Sequence, residues 1–290
     1  MNIFLTGSST ILGSALIESF HKEGHSILVC DQRLADSDDQ RSEIASVIGE
    51  KQIDLVFLLH GGEHLKASFL RKKITTILEK QLELSAAICS FFTSRKSKPA
   101  AIFTASSVHL YKKTGKEPSI ETSPRNEEFP AVFYRQLENS ALPAASAGIR
   151  VVHLRMDKLI SRKCPPAAIR VPFFGSCSVF FRSRKTDIGW CSEGDAVRAV
   201  NFLTANDKFS GPINLVSGDS LPLKDFNNVV SGYFKLQPPK SLPLFTLKIL
   251  FGKKYTSMLT VSTKSVPFKL MEEGFIFGDI SLAEYLRKDG

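Results

Sequence analysis

Short apolar runs alternate with longer amphipathic segments along the first 160 residues of the chain. A short run bounded by polar residues is typical of a strand buried on both faces, and apolar residues three or four apart predict a helix. The predicted strands cover 3–5, 26–30, 54–59, 100–104 and 150–155, and the predicted helices begin at 12 and cover 42–49, 71–92 and 131–147. This alternation requires crossover connections, so it predicts an α/β fold with a parallel sheet covered on both faces.

The pattern loosens after residue 160. Predicted helices cover 194–205 and 223–234, a predicted strand lies near 211–216, and three short helices follow near 245–251, 267–273 and 281–287. We therefore predict a Rossmann-like core over 1–160 and a second region over 161–290. In the second region the strand near 211–216 completes the sheet, and 240–290 forms a helical module. The predicted fold class is α/β, a Rossmann-like doubly wound parallel sheet with a small C-terminal, mainly helical substrate-side module.

The N-terminal sequence MNIFLTGSSTILG contains the clearest candidate for a binding site. A strand runs into Gly7, and a helix opens at Leu12 and Gly13. The start of a helix has backbone N–H groups without partners inside the helix and a partial positive charge, so such a turn can cradle a pyrophosphate. The predicted cofactor-binding turn consists of Gly7, Ser8, Ser9, Thr10, Ile11, Leu12 and Gly13.

The net charge of +9 is concentrated in the second half of the chain. Residues 1–150 hold 18 basic and 17 acidic residues, whereas residues 151–290 hold 20 and 12. Between Arg155 and Lys185, eight basic residues accompany Asp157 alone. This cluster allows three interpretations: a nucleic-acid patch, a pocket for an anionic substrate, or a solvated loop. The chain has no RNA-binding, zinc or helix-turn-helix pattern, which disfavours a nucleic-acid partner.

The spacing of the cysteines and the lengths of the apolar runs indicate the cellular compartment of the protein. Five cysteines, an odd number, are scattered along the chain without a C-x-x-C pair, so they predict neither a disulfide framework nor a zinc site. No apolar run approaches the ~20 residues of a membrane span, and the start of the chain lacks the basic and apolar regions of a signal peptide. We expect a cytoplasmic protein without a metal or a membrane partner, and the sequence leaves a homo-oligomer open.

Several short segments resemble one protein superfamily in their order and spacing. They are Thr6-Gly7 with Gly13, Gly24-His25, 138–143, 148–152, Trp190 with 195–199, and 210–216. With the C-terminal part, they resemble the extended short-chain dehydrogenases/reductases, and most closely the atypical YfcH-like branch of the NAD(P)-dependent epimerase/dehydratase family. The resemblance spans almost the whole chain. It implies an NAD(P)-dependent oxidoreductase or nucleotide-sugar epimerase/dehydratase with a dinucleotide cofactor and a small-molecule substrate.

The resemblance also implies a serine that orients a substrate carbonyl and a tyrosine that transfers a proton. Ser106 and Tyr134 occupy these positions, and Ser106 also lines the cofactor site. In the superfamily a lysine four residues after the tyrosine lowers the tyrosine pKa, because a free phenol titrates near ~10 and is a poor base at neutral pH. Here that residue is Glu138, whose carboxylate favours the neutral phenol. Relatives in the branch also lack the lysine, so Tyr134 is either a proton donor or a packing residue, and Tyr111 is a second candidate phenol.

Two residues after the second strand leave the choice between NAD and NADP open. Asp31 can accept hydrogen bonds from ribose hydroxyls, which favours NAD. Arg33 can instead bind a 2′-phosphate, which favours NADP. A third interpretation is a solvated turn of mixed charge.

The end of the third strand adds Leu59, His60 and Gly61 to the candidates for cofactor binding. His60 and His64 have the spacing of two metal ligands on a helix, but the double glycine between them disfavours a helix and no third ligand is evident. We therefore expect His60 to line the cofactor site.

Departures from the family pattern support a second hypothesis, above all the missing lysine at Glu138, the lost glycine at Thr10 and the changed loop 58–61 after the third strand. Thr10 stands in place of a glycine, and its Cβ would crowd a backbone close to the pyrophosphate. His109-Leu110 replaces Gly-Tyr, and the segment 190–195 is also changed, with Asp195 expected to cap or pack a helix. The rival hypothesis is a non-catalytic NAD(P)- or partner-binding protein that kept the Rossmann fold.

Overall fold

The strands of the computed structural model form one large parallel sheet and three small sheets among the described residues. The structure describes residues 1–31, 39–60, 71–113, 117–164, 169–171, 175–177, 179–181, 186–217, 219–236, 240–242, 245, 248–249, 252–254, 256–257, 261 and 264–287. The strands are β1 (Asn2–Thr6), β2 (Ser26–Val29), β3 (Leu55–Leu58), β4 (Ala101–Ser107), β5 (Arg150–Met156), β6 (Lys158–Ile160), β7 (Ile169–Val171), β8 (Gly175–Cys177), β9 (Val179–Phe181), β10 (Asp187–Ser192), β11 (Gly211–Leu215), β12 (Ser220–Pro222) and β13 (Lys240–Leu242). The large sheet has the order β11-β5-β4-β3-β1-β2, and all its neighbouring pairs are parallel.

Helices cover both faces of the large sheet. They are α1 (Ile11–Lys22), α2 (Gln40–Ile48), α3 (Arg71–Ser94), α4 (Ala131–Asn139), α5 (Leu142–Ser146), α6 (Glu193–Ala205), α7 (Leu223–Tyr233), α8 (Phe268–Glu272) and α9 (Leu282–Arg287), with a short 3-10 helix at Val108–Leu110. Side chains alternate between the faces along each strand, because successive strand residues point to opposite sides. Ile3 and Leu5 pack in a cluster with α1 and α6, whereas Phe4 packs in a cluster with α2, α3 and α5. The predicted doubly wound α/β fold is confirmed.

One predicted helix is two helices in the structure. The apolar pattern predicts a continuous helix over 131–147, but α4 ends at Asn139 and α5 begins at Leu142. Pro143 lacks a backbone N–H and its ring clashes with the carbonyl four residues earlier, so a helix cannot continue through it. The proline is tolerated in the first turn of α5, where that N–H has no partner inside the helix.

The carboxyl ends of β1 and β3 border the crevice in which this topology binds ligands. β2 lies on one side of β1 and β3 lies on the other, so the direction of the strand order reverses between them. Ligands of open α/β sheets bind at such a switch point. Gly7 directly follows β1 and Leu59 directly follows β3, which brings two of the predicted cofactor-binding segments to this edge.

A smaller sheet and two helices extend the fold beyond residue 160. β10 pairs with β6 in parallel and with β12 in antiparallel orientation. Trp190 is fully buried in a cluster with Phe226 of α7 and Tyr285 of α9. The predicted division into two regions stays a prediction, and much of the predicted module at 240–290 lies outside the described residues.

Asp195, in the first turn of α6, forms hydrogen bonds with the backbone just before α9. Its carboxylate oxygens accept backbone N–H bonds from Gly278 at 3.0 Å and Asp279 at 2.9 Å. The side chain of Ser192 caps the same helix by accepting from the Asp195 N–H at 3.1 Å. None of the described helices is long and apolar enough to cross a membrane.

Candidate functional site

The turn between β1 and α1 has two positions that only glycine fits. Gly7 has a φ of +86°, and a Cβ there would lie 2.5 Å from the carbonyl carbon of Leu59. A Cβ at Gly13 would lie 2.1 Å from the carbonyl oxygen of Gly7. Both distances are far inside van der Waals contact, which is near ~3.5 Å for carbon. The glycines therefore allow β1, α1 and the end of β3 to approach one another closely.

Thr10, which occupies the place of a third glycine, is the N-cap of α1. Its backbone is extended, with a φ of −76° and a ψ of 159°. Its Oγ1 accepts from the Gly13 N–H at 2.9 Å and donates to the Gly7 carbonyl at 2.7 Å. The threonine hydroxyl thus holds the two glycines of the turn together, and such a cap stabilises a helix by about 1 kcal/mol. Ile11 and Leu12 begin the helix that it caps.

Asp31 follows β2 and faces the same turn. Its Oδ1 accepts from the Gly7 N–H at 2.5 Å, and its Oδ2 accepts from the Ser8 N–H at 2.9 Å. The Ser8 hydroxyl donates to the same oxygen. The structure therefore brings Gly7, Ser8 and Asp31 into direct contact at the β1–α1 turn.

His60 lies partly buried between β1 and α3. Its Nδ1 is 2.7 Å from Thr6 Oγ1, and its Nε2 is 2.9 Å from Ser85 Oγ. Burial lowers the pKa of His60 to about 4. The imidazole is therefore neutral at pH 7 and joins the carboxyl ends of β1 and β3 to a helix.

The stability of the protein is expected to fall as the pH drops from 6.5 toward about 4. In this window His60 takes up a proton in the unfolded chain but stays neutral in the folded protein, so its contribution is complete above the ordinary pKa of 6.5. Urea denaturation at several pH values should show that the His60→Gln variant loses up to about 1.4 kcal/mol less per pH unit than the parent. The exposed His21→Gln variant is the control, and equal slopes for the parent and His60→Gln would contradict the prediction.

Ser106, in β4, belongs to a buried hydrogen-bond network. Its Oγ donates to Glu138 Oε1 at 2.7 Å. Arg155 donates to both oxygens of this carboxylate, from Nε and from Nη2, at 2.7 Å each. Arg155 also donates to the Tyr111 hydroxyl at 2.9 Å, and this hydroxyl donates to Asn214 at 2.6 Å. The network joins β4, β5 and β11 to helix α4.

In this network Glu138 is ionised, whereas the Tyr111 phenol is neutral. Burial by itself would raise the pKa of Glu138, but the hydrogen bonds and charge of Arg155 outweigh it and hold that pKa below its usual range. Burial raises the pKa of Tyr111 to about 12, so this phenol keeps its proton. The residue at the position of the family's lysine is therefore an ionised partner of Arg155.

Tyr134, on α4, has a different partner from Ser106. Its side chain is buried, and its hydroxyl forms a hydrogen bond with Ser107. Burial raises the pKa of Tyr134 to about 12, the charge of Asp157 adds to this rise, and the bond to Ser107 opposes it. The phenol is protonated at neutral pH, so it can donate a proton but accepts one poorly. The catalytic roles of Ser106 and Tyr134 stay predictions.

Sequence reasoning did not identify some of the residues at this edge, and several of the residues that it did identify lie outside the described part of the chain. Ser107, His109 and Asp157 surround Tyr134, although no motif identified them as candidates. Arg33 and Gly61 lie outside the described residues, as do His64 and part of the basic cluster 155–185. Among the described residues, no group of three or more potential ligands could hold a metal ion.

These features define a Rossmann-fold protein with a glycine turn at the switch point of its sheet. The model of the NAD dependent epimerase/dehydratase family matches residues 3–168, more than half of the chain. The chain belongs to this family, which confirms the resemblance found in the sequence.

Relatives and solved structures match the chain over nearly its whole length. Epimerase family protein YfhF of Bacillus subtilis is 20% identical over 286 residues, which cover 96% of this chain and 94% of YfhF. The human epimerase family protein SDR39U1, solved with NADPH, has a TM-score of 0.73 at 16% identity and covers 99% of this chain and 98% of its own. UDP-glucose 4-epimerase of Thermotoga maritima, solved with UDP-glucose, has a TM-score of 0.72 at 14% identity, with coverages of 99% and 97%.

Proposed function

We propose that the chain binds a nicotinamide dinucleotide and uses it for epimerase or dehydratase chemistry on a nucleotide sugar. The observation that carries the proposal is the β1–α1 turn, where Gly7 and Gly13 leave no room for a Cβ at the N-terminus of a helix. A pyrophosphate can approach backbone N–H groups closely at such a turn. A bound dinucleotide would supply a site that takes up and returns hydride.

The basic second half of the chain and a structurally similar epimerase both support an anionic substrate. A nucleotide sugar carries a pyrophosphate, and the second half of the chain holds 20 basic against 12 acidic residues. The Thermotoga maritima neighbour was solved with UDP-glucose. Both observations favour a nucleotide sugar over a neutral substrate.

Asp31 favours NAD over NADP. Its carboxylate lies shortly after β2 and beside the glycine turn, where an acidic residue binds the adenosine ribose in this fold. A carboxylate accepts hydrogen bonds from ribose hydroxyls, whereas it repels the negative charge of a 2′-phosphate. We therefore propose NAD as the preferred cofactor.

Titration with NADH and NADPH tests the function and the preference together. Nicotinamide fluorescence should show that the parent protein binds NADH at least about tenfold more tightly than NADPH, a difference of about 1.4 kcal/mol. The Asp31→Asn variant keeps the size of the side chain but removes its charge, so we expect it to lose most of this preference.

Asp39→Asn is the matched control, because Asp39 also accepts backbone N–H bonds but is the exposed N-cap of α2. It should keep the parent's preference. Tighter binding of NADPH by the parent would favour Arg33 over Asp31. No binding of either dinucleotide at millimolar concentration would refute the proposed function.

A non-catalytic role in dinucleotide or partner binding is the second candidate. The pairing of Glu138 with Arg155 favours it, because the position that activates the tyrosine in the family holds an ionised carboxylate here. Binding of NADH without any turnover of nucleotide sugars would support this alternative. The five cysteines of the sequence are scattered and form no C-x-x-C pair, which suits a reducing compartment, so we propose the cytoplasm for either function.

A further inference from the structure

A buried histidine and a buried aspartate face each other beside Tyr134. His109 lies in the 3-10 helix that follows β4, and Asp157 lies between β5 and β6. His109 Nε2 is 3.3 Å from Asp157 Oδ1, and the two side chains are 8% and 0% exposed. Neither ring nitrogen of His109 has a hydrogen-bond partner within the described part of the chain. A buried, unsatisfied imidazole is costly, so it calls for a functional explanation.

Each member of the pair is also held by a hydrogen bond that does not involve the imidazole nitrogens. The Gly189 N–H of β10 donates to Asp157 Oδ2 at 2.9 Å, whereas Oδ1 is the oxygen 3.3 Å from His109 Nε2. A Cβ at position 189 would already be 3.3 Å from Oδ2. The backbone N–H of His109 donates to Ser107 Oγ at 3.2 Å. The pair therefore lies just beyond the carboxyl ends of β4 and β5, at the sheet edge where this fold binds ligands.

Tyr134 keeps its proton at neutral pH, so the oxidation of a substrate hydroxyl needs another group to accept the proton. Its ring centroid is 6.4 Å from that of His109, and its hydroxyl bonds Ser107. The phenol has no lysine at the usual spacing, and Glu138 is engaged by Arg155. An imidazole is the side chain best suited to exchange protons near pH 7, and an adjacent carboxylate stabilises its charged form.

We propose that His109 is a catalytic residue of this protein that takes the hydroxyl proton of the substrate, and that Asp157 is the positioning residue that stabilises the resulting imidazolium. The inference rests on the proposed function. In the oxidative direction the substrate O–H bond breaks and its proton forms an N–H bond on His109. The electron pair of the adjacent C–H bond leaves as hydride to the oxidised nicotinamide dinucleotide, and the substrate becomes a carbonyl compound. The reductive direction returns both.

The first test measures the pair without turnover. Proton NMR of the histidine ring protons across pH 5–9 should contain one resonance that is absent in His109→Gln. At a fixed pH of 7, Asp157→Asn should move that resonance, because the imidazole loses a carboxylate 3.3 Å from its Nε2, whereas His21→Gln should leave it in place. Within the described part of the chain, Tyr134 and Asp157 lie against His109, and Lys158 lies 4.0 Å from Asp157. An unmoved resonance in Asp157→Asn would overturn the proposal.

The second test measures single-turnover reduction of bound NAD by UDP-glucose. We expect at least about a hundredfold loss of rate in His109→Gln, with NADH affinity within twofold of the parent. Asp157→Asn should keep part of the rate and shift its pH profile. His21→Gln, on the exposed end of α1, is the control.

The outcomes separate the pair from the proposed function. A His109→Gln rate within threefold of the parent, with loss of activity in Tyr134→Phe, would overturn the proposal and assign proton transfer to the tyrosine. If the parent binds no NADH, the proposed function fails. If it binds NADH without oxidising UDP-glucose, this substrate is excluded. In both cases the NMR comparison of the parent with Asp157→Asn still tests the contact between His109 and Asp157.

Discussion

Replacement of Arg155 by methionine is expected to lower the free energy of unfolding by about 3–5 kcal/mol, because it leaves a buried carboxylate without its partner. Arg155 is fully buried, and two of its nitrogens donate to Glu138 at 2.7 Å. A third bond, to the Tyr111 hydroxyl at 2.9 Å, is lost at the same time. Urea denaturation of the parent and of Arg155→Met at pH 7 measures the difference.

Two comparison variants make this measurement specific. Lys22→Met removes an ion pair with Glu18 whose side chains are 73% and 51% exposed, so it should change stability by less than about 0.5 kcal/mol. The double variant Arg155→Met/Glu138→Met should be more stable than Arg155→Met alone, because no unpaired charge is left in the interior. A loss below about 1 kcal/mol in Arg155→Met would contradict the prediction.

The stabilisation by the Glu138–Arg155 pair should also decrease at acidic pH. Arg155 outweighs the effect of burial and holds the Glu138 pKa below its ordinary value of 4.5, so the folded protein binds fewer protons there than the unfolded chain. The stabilisation is therefore complete above pH 4.5 and is lost as the pH falls through the lower pKa of the folded state. The difference between the parent and Arg155→Met should shrink in that range.

The sheet could be predicted from the sequence because its strands are short, apolar and regularly interrupted. Leu55–Leu58 is buried at every position, and such a run has few alternatives in a chain that alternates with helices. Local chemistry was harder to assess. Thr10 reads as a lost glycine in the family pattern, although a threonine before a helix is also an N-cap signal. The family motif records only that position 10 is not a glycine, whereas in the structure the Thr10 hydroxyl bonds both Gly7 and Gly13.

The pairing of Glu138 with Arg155 and of His109 with Asp157 could not be predicted, for a different reason. Glu138 and Arg155 belong to separate elements, and no spacing rule joins a helix residue to a strand residue. His109 and Asp157 meet because β4 and β5 pair with Ser107 opposite Met156. The apolar pattern predicts these two strands, but it does not determine which residues of β4 and β5 lie opposite each other.

Substitution of Gly13 by alanine is expected to weaken NADH binding by at least about a hundredfold, which is about 2.7 kcal/mol. The new Cβ would lie 2.1 Å from the Gly7 carbonyl oxygen and 2.9 Å from Thr10 Oγ1. Either the helix or the turn must move, so the cap at Thr10 and the close approach of Gly7 are disturbed together. Nicotinamide fluorescence measures the affinity, and a thermal melt reports the cost to the fold.

Gly194→Ala is the matched control, because Gly194 also lies in the first turn of a helix but an added Cβ would meet nothing within 4 Å. Alanine there should leave binding unchanged and stabilise the protein by up to about 1 kcal/mol, as expected for a glycine replaced inside a helix. Affinity within threefold of the parent in Gly13→Ala would contradict the prediction. The contrast follows from how a pyrophosphate is held: the donors are backbone N–H groups, whose directions depend on the geometry of the turn, so one methyl group at Gly13 is enough to misalign them.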